Sequence, residues 1–325
     1  MSVPVVADAA SVRRAAELLR AGEVVALPTE TVYGLGADAT NPDAVRRVFA
    51  VKGRPADHPL IVHLLDAGAI DDWAVEVPDE ARALADACWP GPLTLVLRRS
   101  ERASDAVTGG LDTVALRVPA HPVMRAVLTE FGGAIAAPSA NRFGRVSPTS
   151  AAAVCDDLGD DVAMVLDGGP SRVGVESTIV DCSGDRLAVL RPGGVPVERI
   201  AEILDRAVPV GGATRAPGTL AQHYAPCARV VLSDARDAPA VAAEHLAAGL
   251  RVAILAPPPV PLGLSDSVAV LEPPETDDEY ARVLYERLRT ADHHGIDVVV
   301  AVPPQGAGIG LAVRDRLERA AATQR

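Results

Sequence analysis

The chain has 325 residues, a formal net charge of −12 and a pI near 5.0, with 49% hydrophobic but only 3% aromatic residues. That balance argues against a protein whose main task is coating nucleic acid, which relies on basic faces that neutralise phosphates; it suits a small basic pocket in an acidic body. The length allows about two domains, with cores built from Ala, Val and Leu.

Cys88, Cys155, Cys182 and Cys227 are scattered without CxxC or His/Cys spacing. Neither a zinc site nor a disulfide framework is expected, and no metal site of the chain's own. The N-terminal stretch is amphipathic and broken by Arg13 and Arg14, and no apolar run reaches membrane-spanning length. The expectation is a cytoplasmic protein with no membrane partner.

Asp8 or Ser11 caps a helix running through Arg20, with Val12, Ala15, Ala16 and Leu19 as its stripe. A buried strand at 24–27 opens into Pro28-Thr29-Glu30-Thr31-Val32-Tyr33-Gly34-Leu35-Gly36, read as a loop that brings hydroxyls and backbone N–H groups to a ligand. If this loop is extended, Thr29, Thr31 and Tyr33 share one face. Asn41-Pro42 starts a helix that ends at Lys52-Gly53-Arg54-Pro55.

Lys52 stands out by composition. Of 31 Lys and Arg residues, it is the one Lys. Where Arg serves every other positive position, a compact ammonium on a flexible stem points to a phosphate-facing role. Gly53 permits close backbone approach, Arg54 adds a second cation and Pro55 stiffens the turn.

A strand at 60–64 carries His63, either a hydrogen-bonded core histidine or a ligand group. A helix from Pro78 to Cys88, the turn Trp89-Pro90-Gly91-Pro92 and a strand at 93–97 follow. The strand at 113–118 holds Arg117 among Val114, Ala115, Leu116 and Val118. A charge so embedded needs a partner, from a protein carboxylate or a substrate carboxylate, the substrate being preferred. After a helix at 121–131 and a strand at 134–137, the loop 138–149 offers Ser139, Asn141, Arg142, Arg145 and Ser147 before another helix, an arrangement suited to an anion. Strands at 162–166 and 187–190 come next, the latter ending in Arg191-Pro192-Gly193-Gly194, with a helix at 196–206. Residues 208–227 read as a linker, with Gln222, His223 and Tyr224 as ligand-type residues inside it. Beyond it, strands at 230–232, 252–255, 268–271 and 298–302 alternate with helices, a small Rossmann-like α/β unit without a GxGxxG turn after its first strand. His293-His294 reads as a solvated helix end.

Taken together, Thr29 to Gly36, Lys52 to His63, Trp89 to Leu97, Val114 to Pro119, Pro138 to Ser147, Gly174 to Asp181 and Arg191 to Gly194 resemble the motif series of the YrdC-related threonylcarbamoyl-AMP synthases. His223-Tyr224-Ala225-Pro226 and the segment from Gly310 to Leu317 resemble the two-domain branch. Two positions depart from that pattern: His58, where Asn is common, and Thr219, where Met is usual. The resemblance implies an α/β fold: a YrdC-like twisted open sheet with a concave substrate cleft at 1–207, a linker closing over it at 208–227, and a Rossmann-like domain at 228–325. It implies synthesis of L-threonylcarbamoyl-AMP from L-threonine, bicarbonate or CO2, and ATP, with release of pyrophosphate. A separate threonylcarbamoyl transferase complex would then modify tRNA, which this protein would meet only transiently.

By the same resemblance, Thr31, His63, Arg117 and Ser177 hold threonine, and Tyr33 lies near the carbamate. Lys52, Arg54, His58, Ser139, Asn141, Ser147, Arg191 and Tyr224 hold ATP, with Mg2+ arriving on the nucleotide. Lys52, Arg54 and Tyr33 are the expected catalytic groups. Hydrogenase-maturation carbamoyltransferases share a similar domain but add zinc-finger cysteine pairs, which this sequence lacks. The alternative from another class is a non-catalytic RNA-binding module using the same basic cleft.

Overall fold

Period-2 alternation along the strands decides which side chains meet in this protein. The computed structural model describes residues 3–212, 214–218 and 224–322. The chain divides into two compact units, one of Met1–Phe143, Ser147–Arg172 and Glu176–Thr219, the other of Gly144–Val146, Val173–Val175 and Leu220–Arg325.

The strands of the first unit are β1 (Val5–Val6), β2 (Val25–Leu27), β3 (Gly34–Asp38), β4 (Ile61–His63), β5 (Leu93–Arg98), β6 (Thr113–Arg117), β7 (Ile135–Ala136), β8 (Met164–Asp167), β9 (Thr178–Asp181) and β10 (Ala188–Arg191). They form one mixed sheet in the order β1-β8-β2-β3-β7-β4-β6-β5-β9-β10. Helix α1 (Ala9–Arg20) begins in a capping box between Asp8 and Ser11. Helix α2 (Pro42–Lys52) is capped by Asn41 and stopped by Gly53 in the left-handed region, φ 63°.

Val62, Leu95, Leu97, Val114, Leu116, Val180 and Val189 point into a core shared with Val45, Val48 and Phe49 of α2. Their neighbours Ile61, Val96, Ala115, Ile179 and Leu190 form a smaller cluster with Ala216. Alternation therefore places His63, Thr94 and Arg117 on the face of the smaller cluster.

Two sequence expectations change here. Residues 34–36, read as loop, begin the strand β3, antiparallel to β2 with Val25 opposite Gly36 and Leu27 opposite Gly34. At Gly36 a Cβ would come within 3.0 Å of Ile135 and 3.1 Å of Leu27, so a side chain there would press on both neighbours. The stretch after Val208 is also not a free tether. Val189 N–H donates to Pro209 O and Gly211 N–H to Val189 O, each at 2.8 Å, extending the β10 edge.

The second unit has the expected α/β character. Strands β11 (Arg229–Leu232), β12 (Val252–Leu255), β13 (Ala269–Val270) and β14 (Val298–Ala301) pair in parallel in the order β11-β14-β12-β13. Helices Ala238–Ala247, Asp277–His293 and Gly310–Ala322 accompany them. Among the described residues no helix is long and apolar enough to cross a membrane.

Candidate functional site

β4 and β6 run in parallel with His63 registered directly against Arg117. Both side chains are buried. Arg117 Nη2 donates to Glu30 Oε1 at 2.6 Å, Nη1 to Thr31 Oγ1 at 2.9 Å and Nε to the Gly91 carbonyl at 3.2 Å. Glu30 Oε2 accepts the Ala120 N–H at 3.0 Å. Thus the partner of Arg117 is a protein carboxylate, a correction to the preference for substrate. Glu30 sits two residues before Val32 in a loop that folds back, so its side chain reaches β6 rather than solvent. With three of its five N–H groups engaged, Arg117 keeps two to donate.

Burial raises the Glu30 carboxyl, but the Arg117 charge and hydrogen bond outweigh it and leave the group below its ordinary value of 4.5. Burial, then the Arg117 charge, lowers His63 to about 3. Its Nδ1 is buried without a hydrogen-bond partner among the described residues. His63 is therefore a neutral imidazole with an unused polar atom. Its low pKa makes it a weak proton acceptor.

Loop 28–33 is bent, not extended. Thr29 and Thr31 hydroxyls lie 2.8 Å apart, and Thr29 Oγ1 also donates to Val32 O at 2.6 Å. The Tyr33 phenol instead lies 2.8 Å from Gly169 O and accepts the Gly168 N–H at 3.3 Å, and burial raises its pKa. Tyr33, expected beside the carbamate, has its hydroxyl tied to the turn after β8.

Lys52 is buried at the last position of α2, where Gly53 turns the chain away. Its Nζ donates to the Asn141 carbonyl at 2.6 Å and to the Ser139 carbonyl. Burial first, and the Arg54 charge second, push its pKa well below the ordinary lysine value; Arg142 adds to this and Asp157 opposes it. Arg54 Nη2 donates to Pro59 O at 3.0 Å. The His58 ring packs edge-on to Phe143 at 5.7 Å, and burial and Arg54 hold its pKa down.

A third group joins the ends of β5, β9 and β10. Ser177 Oγ is 2.7 Å from Thr94 Oγ1, and Arg191 Nη2 donates to the Ser177 carbonyl at 2.8 Å. Next to it, Ser147 Oγ donates to Glu176 Oε1 at 2.7 Å. Backbone packing fixes this corner, since a Cβ on Gly193 would lie 2.3 Å from Glu176 O, Ser177 C and Thr178 N.

Thr31, His63 and Arg117 thus form one cluster, Lys52, Ser139 and Asn141 a second, and Ser147, Ser177 and Arg191 belong to a third. Tyr224 packs among residues of its own unit. It lies in the second unit with φ +65°, its ring stacked on Tyr285 at 5.8 Å and beneath the Arg316 guanidinium at 5.1 Å. Thr219, Gln222 and His223 lie outside the described residues. Glu30, Thr94 and Glu176 are site residues that sequence reasoning missed; an acid within a run of buried residues was the available signal, since it must have a partner.

Comparison with known proteins identifies the family. The Sua5/YciO/YrdC family model, described as telomere recombination, matches residues 17–193, and the model described as threonylcarbamoyl-AMP synthase, C-terminal domain, matches 195–322. The threonylcarbamoyl-AMP synthase of Pyrococcus abyssi is 43% identical over 322 residues, covering 95% of this chain and 93% of the relative. That of Bacillus subtilis is 39% identical over 320 residues, covering 95% and 92%. The crystal structure of Pyrococcus abyssi Sua5 complexed with L-threonine superposes with a TM-score of 0.91 at 39% identity, covering 100% of this chain and 98% of that one. With two domain models in tandem and relatives matched almost end to end, the chain belongs to the two-domain threonylcarbamoyl-AMP synthase family.

Proposed function

We propose that the protein joins L-threonine, CO2 or bicarbonate, and ATP into L-threonylcarbamoyl-AMP and releases pyrophosphate. The observation that carries this reading is Lys52, a buried ammonium bonded to two neutral carbonyls and crowded by the charges of Arg54 and Arg142. Positive charge so concentrated favours an anionic ligand, and a polyphosphate supplies it.

In this proposal Arg117 offers its two remaining N–H groups to the threonine carboxylate, with Thr31, His63 and Ser177 around the amino acid. Lys52, Arg54, Ser139, Asn141, Ser147 and Arg191 hold ATP, with His58 at its edge. Threonine in its free-amine form adds to CO2 to give a carbamate, whose oxygen attacks the α-phosphorus as the bond to pyrophosphate breaks. Lys52, Arg54 and Arg191 stabilise the charge growing on the leaving group. His63 orders the amino acid by hydrogen bonding, and the amine proton leaves to solvent. Tyr33 stands near the carbamate and Tyr224 holds the nucleotide, as the resemblance implies.

Mg2+ in this reading arrives with the phosphates of ATP. Among the described residues no group of three or more His, Cys, Asp or Glu side chains is placed to hold an ion, so the protein would act on the metal-bound nucleotide through its cations. The catalytic chemistry is assigned to 1–207, with 208–227 joining it to the domain at 228–325. The product passes in the cytoplasm to a threonylcarbamoyl transferase complex acting on tRNA.

Pyrophosphate release from ATP, with and without L-threonine and bicarbonate, tests the reading. Release requiring both co-substrates and lost in Lys52→Ala supports it. Absence of release together with salt-dependent tRNA binding would establish the RNA-binding module instead.

A further inference from the structure

The segment 214–217 carries a cation that the site described above does not use. Arg215 Nη2 pairs with Asp57 Oδ2 at 2.9 Å. Asp57 is the one acid between Lys52 and His63, and it lies in the turn between Arg54 and His58. The charges of Arg54 and Arg215 both disfavour protonation of His58, and Arg54 disfavours charge on Lys52. His58 Nε2 lies 3.8 Å from Asp57 Oδ1 and Arg215 Nη2 2.9 Å from its Oδ2, so Asp57 is the counter-ion that joins Arg215 to the basic turn of Lys52, Arg54 and His58.

The backbone that presents Arg215 is clamped on either side. Thr214 Oγ1 donates to Asp181 Oδ2, and Pro217 O accepts from Arg191 Nη1 at 2.8 Å. Ala216, between them, is buried with Ile61, Val96, Ala115, Ile179 and Leu190, on the sheet face that also carries His63 and Arg117. This fixes where the backbone of Arg215 stands and leaves its side chain half in water. The side chains of Arg215 and Asp57 are 52% and 60% exposed, so water and salt screen the pair and it exchanges readily. A polyphosphate carries more negative charge than one carboxylate and matches the guanidinium fork.

We propose that Arg215 is a further phosphate-binding residue of the ATP site, held by Asp57 until the terminal phosphates of the nucleotide replace that carboxylate. This rests on the synthase reading and extends it. Neither the motif series nor the buried clusters include Arg215, and its contribution falls on the β- and γ-phosphates that depart as pyrophosphate.

The test is calorimetric titration of the full chain with ATP, AMP and L-threonine in wild type, Arg215→Ala, Arg215→Lys and Asp57→Ala. Losing one charge-assisted hydrogen bond should weaken ATP binding by about tenfold or more in Arg215→Ala, with AMP and threonine affinities unchanged. Arg215→Lys should retain part of the ATP affinity, and Asp57→Ala should bind ATP more tightly than wild type. Equal losses for ATP and AMP would make Arg215 a structural part of the segment 214–217 and overturn the proposal. Unchanged ATP affinity in Arg215→Ala would reduce the pair to a surface ion pair. Threonine-dependent pyrophosphate release by wild type, measured alongside, tests the synthase reading separately.

Discussion

Replacing Glu30 by Gln removes one charge from a pair that water barely reaches. The side chains of Glu30 and Arg117 are 8% and 4% exposed, with 2.6 Å between Oε1 and Nη2. Glu30 uses both oxygens, the second on the Ala120 N–H. Gln can present its oxygen to only one of these donors and turns an amide N–H toward the other, while the guanidinium loses its counter-charge. Breaking a buried pair from one side costs about 3–5 kcal/mol. Because Gln keeps one acceptor, we expect about 3 kcal/mol, and a similar loss for Arg117→Met. The double variant should be less destabilised than the sum, by roughly 1–3 kcal/mol, as expected for groups in contact. Urea unfolding followed by tryptophan fluorescence is well suited, because both tryptophans, Trp73 and Trp89, belong to the first unit. The Glu30 pKa is depressed in the fold, so its contribution is fully present above pH 4.5 and disappears as pH falls through the lower folded value. The gap between wild type and Glu30→Gln should narrow in that acid range. A cost below about 1 kcal/mol, or strict additivity in the double variant, would show that the pair is solvated and that Glu30 does not hold Arg117.

His63 gives a second limb to the pH profile. Its folded pKa of about 3 lies below the ordinary 6.5, so the unfolded chain binds the proton first and stability drops below pH 6.5 by about 1.4 kcal/mol per pH unit until about pH 3. His63→Phe should lack this slope in parallel denaturation series at pH 6.5 and 4.5; equal slopes would place a charged or exposed imidazole there. Lys52→Arg should lower kcat/KM for ATP by about a hundredfold or more, since a planar guanidinium cannot reproduce an ammonium held between the Ser139 and Asn141 carbonyls. Full turnover in that variant, read by pyrophosphate release, would show that any cation serves. Gly193→Ala forces a methyl group into the backbone of Glu176–Thr178. It should cost about 2–3 kcal/mol by overpacking and weaken threonine binding by displacing Ser177; a melting temperature unchanged from wild type would refute the packing seen there.

Local signals in the sequence were strong enough to place many elements. Asp8 with Ser11 and Asn41 with Pro42 start α1 and α2, because side-chain oxygens satisfy orphan N–H groups within three residues. The short apolar runs around His63 and Arg117 gave β4 and β6 for a similar reason, since such a run is itself a local property. Glycines misled twice. Gly34 and Gly36 looked like turn residues, yet they allow β3 to pack closely against its neighbours. Pro209 and Gly211 looked like tether, yet their backbone completes the β10 edge.

The lone lysine, the buried arginine and the order of motifs were legible in the chain by itself, and with them the family. Which groups face one another was not. Glu30 and Arg117 are 87 residues apart, Ser147 and Glu176 are 29 apart, and Tyr224 stacks on Tyr285 across the second unit. A sequence can show that a buried charge needs a partner, because desolvation depends on residue type and surrounding polarity. It cannot choose the partner, because that depends on strand register and on the direction in which each loop returns to the sheet, both set by tertiary packing.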